Sequence, residues 1–163
     1  VGVAGTDEKC QFLVNELGFD AAVNYKADTL YGDLREATPE RVDVIFDNVG
    51  GPLLDTLFRR LGIGARIIVS GATSQYNNET IYGPTNYLAL ATMRARMEGF
   101  IIFVFEDRYQ AARAEMIEWL KSGQLKLVEN IVDGEVGDYP NVLHRLYEGA
   151  NVGKMLLRLS AAN

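Results

Sequence analysis

The stretch Val1-Gly2-Val3-Ala4-Gly5-Thr6-Asp7-Glu8-Lys9, read on to Ala21-Ala22-Val23-Asn24-Tyr25, decides the fold. Residues 1–5 form a short apolar run that ends on glycine. Thr6 stands where an N-cap is wanted, and Asp7 and Glu8 fall in a first helical turn, where the helix dipole favours acids. Phe12, Leu13 and Leu17 recur at helical spacing, and Gly18 takes the C′ position. Residues 21–25 are a second short apolar strand. Strand, helix and strand within about 25 residues is the βαβ pattern of a parallel sheet.

The alternation continues outward. Residues 30–37 predict a short helix, and Val42-Asp43-Val44-Ile45-Phe46-Asp47 predicts a strand ending in Asn48-Val49-Gly50-Gly51. Pro52 suits the first turn of a helix carrying Leu53, Leu54, Leu57, Phe58 and Leu61. Residues 65–70 read as a strand stopped by Gly71, 72–84 as a polar loop, 86–97 as a helix and 99–105 as a strand. A helix over 107–122 places Ala112, Met116, Trp119 and Leu120 on one face. A strand over 125–132, an acidic loop, a helix over 141–147 and a strand over 155–159 follow. The pattern predicts an α/β fold with a mostly parallel sheet.

Composition narrows the function. The chain has 163 residues, 16 basic against 22 acidic, for a net charge of −6, and it is 48% hydrophobic. That is an ordinary globular balance, with enough chain for a full core. An acidic balance without a Lys/Arg cluster argues against nucleic acid as a partner. The longest apolar run, residues 100–105, is far short of the roughly 20 that cross a bilayer. With no signal peptide visible, a cytoplasmic location is expected. Cys10 is the only cysteine and His144 the only histidine, so no disulfide forms within the chain and a Cys/His zinc site lacks ligands. Cys10, without a histidine near it in sequence, reads as packing or surface, and His144 as a surface or capping residue. Asp133, Glu135 and Asp138 lack calcium-ligand spacing.

Ligands of open α/β sheets sit beyond the carboxyl ends of the strands. Those ends carry Gly5-Thr6, Tyr25, Asn48-Val49-Gly50-Gly51 and Ser70-Gly71-Ala72. Small residues there allow a backbone to approach a bound group, or simply permit tight turns. An NAD-preferring site places an acid at the end of such a strand to hold the ribose 2′-hydroxyl. Here that position is Gly5 or Thr6, with Lys9 one helical turn away. A neutral end beside an ammonium group suits a 2′-phosphate, hence NADP, and the same residues also make a well-capped helix start.

Taken together and in order, Gly5-Thr6-Asp7-Glu8-Lys9, Leu17-Gly18-Phe19-Asp20, Asn24-Tyr25-Lys26 and Phe46-Asp47-Asn48-Val49-Gly50-Gly51 resemble the zinc-independent medium-chain dehydrogenase/reductases. The resemblance is to the branch of prostaglandin, alkenal double-bond and curcumin reductases. Residues 66–71, Ser74-Gln75-Tyr76-Asn77, Met97-Glu98-Gly99-Phe100 and Asn151-Val152-Gly153-Lys154 continue it over nearly the whole chain. It implies a doubly wound, Rossmann-like parallel sheet lacking its first strand. Residues 1–125 would be the nucleotide-binding domain, and residues 126–163 a segment returning toward a substrate domain.

The resemblance also implies roles. Lys9 matches the residue that contacts the 2′-phosphate of NADP, with Gly5, Thr6 and Tyr25 beside it. Asn48 matches an asparagine near the nicotinamide side; Ser70, Gly71 and Tyr76 match a loop lining the cofactor. Phe100, Ile101 and Ile102 match a strand whose backbone meets the carboxamide, and Asn151 a late cofactor contact. The family's glycine-rich turn is expected before residue 1, so the chain alone is expected to bind NADP weakly and to be inactive. Some members place a tyrosine eight residues before the Phe100 position; here that residue is Thr92, so no catalytic acid is named.

The expected function of the parent protein is hydride transfer from NADPH to the C=C bond of a small-molecule enone or enal. The alternative is a non-catalytic nucleotide-binding or dimerisation fragment. Residues 99–105 carry no charge and no proline, and a bare sheet edge invites pairing. A homodimer joined through that edge strand is therefore expected.

Overall fold

The computed structural model of the chain describes residues 1–159. The last four residues of the expected 126–163 segment lie outside the described residues. The chain divides into two compact units, Val1–Asp107 and the part from Arg108 onward. The first unit runs β1 (Gly2–Ala4), α1 (Asp7–Asn15), β2 (Ala22–Asn24), α2 (Leu30–Ala37), β3 (Val42–Asp47), α3 (Gly51–Phe58), β4 (Leu61–Val69), α4 (Leu88–Thr92) and β5 (Arg96–Gly99). The second contains α5 (Tyr109–Lys121), β6 (Glu129–Gly134), α6 (Tyr139–Tyr147) and β7 (Lys154–Leu159).

Every ladder is parallel, as the βαβ pattern requires. β1 pairs with β2, and β3, β4 and β5 form a second sheet in that order. β1 and β3, the two strands that would flank the first strand of a doubly wound sheet, do not pair with each other. A cleft of about 880 Å³ lies there, lined by Val3, Leu13 and Phe19 on one side and Val44, Phe46 and Leu57 on the other. Exposure alternates along β3: Ile45 is buried while Val44 and Phe46 are 57% and 64% exposed. One face of the strand meets the core and the other faces the cleft side, the period-two consequence of the pleat.

The core of the first unit is Ile45, Leu54, Phe58, Leu61, Ala65 and Ile67, flanked by Val42, Leu57, Val69, Leu90 and Met93. These come from β3, β4 and one face of α3, so α3 is held firmly on the sheet. Its start depends on glycine: Gly50 and Gly51 have φ of 68° and 63°, in the left-handed region, and Pro52 follows in the first turn. α1 is capped as expected, with the Thr6 hydroxyl accepting the Lys9 backbone N–H at 3.2 Å.

Three expectations are corrected. The strand expected over 99–105 stops at Gly99, and residues 102–108 form 3-10 turns. The reason is the neighbour: β4 ends at Val69, which pairs with Gly99, and the Phe100 N–H makes the last bond, to the Val69 carbonyl at 3.2 Å. Ile101 and Ile102 therefore lie outside any ladder, and the uncharged edge strand expected to join a homodimer is absent: the strand at this edge, Arg96–Gly99, carries Arg96 and Glu98. Likewise, the helix expected over 86–97 is only Leu88–Thr92, because Arg94 turns into the left-handed region at φ 50° and the chain enters β5. The strand expected over 125–132 begins at Glu129, since the Leu125 N–H is still tied to the Trp119 carbonyl at the end of α5.

In the second unit, β6 and β7 pair from Glu129↔Lys154 to Gly134↔Leu159. Gly153, at φ 78°, brings the chain so close to Val128 that a side chain there would strike the Val128 carbonyl. Arg158 forks onto Asp133 across the two strands at 2.5 and 2.8 Å. His144 lies on α6, well exposed, 3.4 Å from Glu148.

Candidate functional site

Two clusters form at the carboxyl ends of the first unit's strands. The first sits after β1 and β2. The Tyr25 N–H donates to the Ala4 carbonyl at 2.9 Å, which brings the Tyr25 ring over the β1 end. A Cβ on Gly5 would lie 3.2 Å from the Tyr25 hydroxyl and 3.4 Å from Cε of Lys26. The Lys26 ammonium stands 5.9 Å from the Tyr25 ring centroid, within cation–π reach. Asn24 braces the group: its Nδ2 donates to Asp7 at 2.8 Å, and its Oδ1 accepts the Lys26 N–H at 3.0 Å. Thr6 is engaged as the cap, which presents Lys9 in the first turn of α1.

The second cluster sits after β3 and β4. Asp47, 4% exposed, accepts the backbone N–H of Val49 at 3.0 Å and that of Gly50 at 3.1 Å. That carboxylate fixes the turn and with it the backbone of Asn48. The following loop crosses over it: Thr73 N–H donates to the Asn48 carbonyl at 3.0 Å, and Ser74 N–H to Val49 at 3.1 Å. Ser70 N–H closes onto the Asp47 carbonyl at 2.7 Å. A Cβ on Gly71 would collide with the Asn48 side-chain oxygen and lie 2.9 Å from the Tyr76 hydroxyl. The ends of the Asn48 and Tyr76 side chains thus converge beside Gly71, and a side chain at residue 71 would have to displace them. The cleft between the two sheets is lined by Tyr25 at one edge and by Asn48 and Val49 at another.

Not every expected residue joins a cluster. Phe100 packs against Phe46 and Phe105, with ring centroids 6.1 and 5.8 Å apart. Ile101 and Ile102 are more than half exposed. Asn151 belongs to the second unit, where its side chain donates to the Gly153 carbonyl at 2.6 Å.

Sequence reasoning missed three side chains. Lys26 stood in the Asn24-Tyr25-Lys26 motif with no role given to it. Gln75, 7% exposed, looked like part of a polar loop. Asp55, 5% exposed, interrupts the apolar run from Leu53 to Phe58, and a carboxylate in such a run was the available signal. Burial pushes the Cys10 thiol up, against a hydrogen bond involving Ala4, which disfavours a thiolate nucleophile.

The described residues include no group of three or more His, Cys, Asp or Glu side chains placed to hold a metal ion. No helix of the described residues is long and apolar enough to cross a membrane.

The chain is similar to known proteins. A Bacillus subtilis protein whose name assigns it to the NADP-dependent oxidoreductases is 42% identical over 164 residues, covering 98% of this chain and 48% of that protein. The NADP⁺-dependent 2-alkenal reductase of Nicotiana tabacum is 37% identical over 161 residues, covering 98% of this chain and 47% of its own. The crystal structure of CurA from Vibrio vulnificus in complex with NADPH superposes with a TM-score of 0.90 at 35% identity, covering 99% of this chain and 49% of CurA. The chain spans about half the length of the curated relatives it matches. Residues 1–122 match the family model described as zinc-binding dehydrogenase, and the chain, a Rossmann-like α/β unit with parallel sheets, belongs to that family.

Proposed function

We propose that this chain is the nucleotide-binding part of an NADP-dependent oxidoreductase that reduces the C=C bond of α,β-unsaturated ketones or aldehydes. The observation that carries the reading is the convergence of Asn48, Gly71 and Tyr76 at the carboxyl ends of β3 and β4. A glycine with an amide and a hydroxyl beside it suits a backbone approached closely by a ligand. The NADPH-bound relative and the alkenal reductase relative support the choice of cofactor and substrate class.

In this reading Lys9 and Lys26 hold the 2′-phosphate by charge, with Gly5, Thr6 and Tyr25 shaping its seat. Asn48, Ser70, Gly71 and Tyr76 line the nicotinamide side; Phe100, Ile101, Ile102 and Asn151 are proposed as further contacts. The bound dinucleotide supplies the hydride, and the protein supplies orientation and electrostatics. Residues 1–125 form the nucleotide-binding domain, and the segment from 126 returns toward a substrate domain. A homodimer is part of the proposal, joined along β5 and the apolar residues 101–104 that follow it, each more than half exposed.

Titration of the chain with NADP and NAD tests the cofactor: NADP should bind more tightly, and equal affinities overturn the choice. Consumption of NADPH by the full-length protein across a panel of enones and enals tests the substrate class; inactivity on all of them removes it.

A further inference from the structure

Asp55 lies in α3 among Leu53, Leu54, Leu57 and Phe58, and only 5% of it is exposed. A carboxylate so placed persists only when its oxygens are partnered. Oδ1 accepts the backbone N–H groups of Thr85 at 2.8 Å and Asn86 at 3.1 Å. Oδ2 accepts the hydroxyls of Tyr82 at 2.7 Å and Thr85 at 2.5 Å. The Asn86 side-chain amide donates to the Asp55 carbonyl at 3.1 Å. One helix residue thereby grips three residues of the long loop between β4 and α4.

Tyr82 carries the connection onward. Its backbone N–H donates to Oε1 of the buried Gln75 at 2.8 Å. Gln75 Nε2 donates to the Ser74 hydroxyl at 2.7 Å, and that hydroxyl donates to the Val49 carbonyl at 2.7 Å. Four successive hydrogen bonds therefore run from Asp55 to the turn after β3. The relay leaves no room at the helix start: a Cβ on Gly51 would lie 2.6 Å from Gln75 Nε2. Tyr76 follows Gln75 directly, so the place of its hydroxyl beside Asn48 and Gly71 depends on Gln75 being held.

We infer that Asp55 is a positioning residue for the candidate site, acting through Tyr82 and Gln75 to hold Tyr76 against Asn48 and Gly71. Hydrogen bonds to an ionised acceptor are roughly twice as strong as neutral ones, which suits the anchor of a relay. Burial alone would raise the Asp55 carboxyl; the bonds from Thr85, Asn86 and Tyr82 outweigh it and hold the group below the usual carboxylate range. The inference rests on the nucleotide reading for its ligand, but not for the relay itself.

The test uses the full chain with Asp55→Ala, Asp55→Asn and Tyr82→Phe. The readouts are NADPH affinity by calorimetry, amide exchange at Thr85 and Asn86, and the Tyr76 ring resonance in tyrosine-labelled protein. Asp55→Ala should weaken NADPH by roughly tenfold, shift the Tyr76 resonance and speed exchange at both amides. Asp55→Asn keeps an oxygen for the two backbone donors and should recover part of the loss. Tyr82→Phe removes only the hydroxyl link and leaves Asp55 partnered, so it folds even where Asp55→Ala does not; about a threefold loss is expected. Faster exchange with Tyr76 and NADPH affinity both unchanged would make Asp55 a plain structural anchor and overturn the inference. If the unmodified chain binds NADPH too weakly to measure, the Tyr76 resonance alone decides: a shift supports positioning, and its absence overturns it.

Discussion

Tyr25 holds its hydroxyl 3.2 Å from the point where a Cβ on Gly5 would project, with the Lys26 stem 3.4 Å from the same point. An aromatic hydroxyl and a cation thus flank the end of a strand that carries no acid. That combination favours a phosphate over a free ribose hydroxyl. Lys9→Ala and Lys26→Ala should each weaken NADPH by roughly tenfold, about 1.4 kcal/mol, while NADH binding changes little. Parallel titrations with both cofactors check this, and equal losses for the two would remove the phosphate role.

Backbone strain and crowding separate at two glycines. Gly51 combines φ of 63° with a Cβ position 2.6 Å from Gln75, whereas Gly64 has φ of 78° and open space around it. Gly64→Ala should cost only the conformational strain, about 1 kcal/mol, and Gly51→Ala about 1–3 kcal/mol more. Denaturant midpoints measured on both variants distinguish the two contributions; equal destabilisation would contradict the packing of Gln75 on the start of α3.

Acid should loosen the Asp55 anchor. Its carboxyl is held below the usual range, so the stability it contributes is present above the unfolded-state value near pH 4 and is lost as pH falls through the lower folded value. Asp55→Asn should therefore be less stable than the parent at neutral pH and should flatten the fall in stability below about pH 4. Urea unfolding across that range reads the slope, and an unchanged slope in the variant counts against a depressed Asp55.

The centre of the first unit should be intolerant of truncation. Ile67 in β4 is fully buried against Phe58 and Leu54 of the same core. Ile67→Ala should destabilise by about 2–5 kcal/mol through lost burial and the cavity left behind, and Ile67→Val by about 1 kcal/mol. Thermal unfolding checks the order of the two.

Assembly is tested along β5. Met97→Pro removes a donor from the ladder and should shift a dimer joined at this edge toward monomer in light scattering. A monomeric parent at micromolar concentration would end the homodimer proposal.

Much was legible along the chain because it depends on local chemistry. Capping by Thr6, the positive-φ turn at Gly50-Gly51 and the alternation of apolar strands with amphipathic helices act over a few residues, so residue order alone set the α/β class and the parallel pairings. Family motifs singled out Asn48, Gly71 and Tyr76 one by one, and only the fold shows that these three, far apart in sequence, meet. What only the tertiary structure decided was where ladders stop and which polar groups meet. β5 ends at Gly99 because its partner ends at Val69, a fact about a neighbour thirty positions away that no apolar run in 99–105 can report. Asp55 looks like a flaw in an apolar helix until the loop from Tyr82 to Asn86 folds over it. Pattern is local and survives in the sequence, whereas partnership across the fold exists only once the chain has folded.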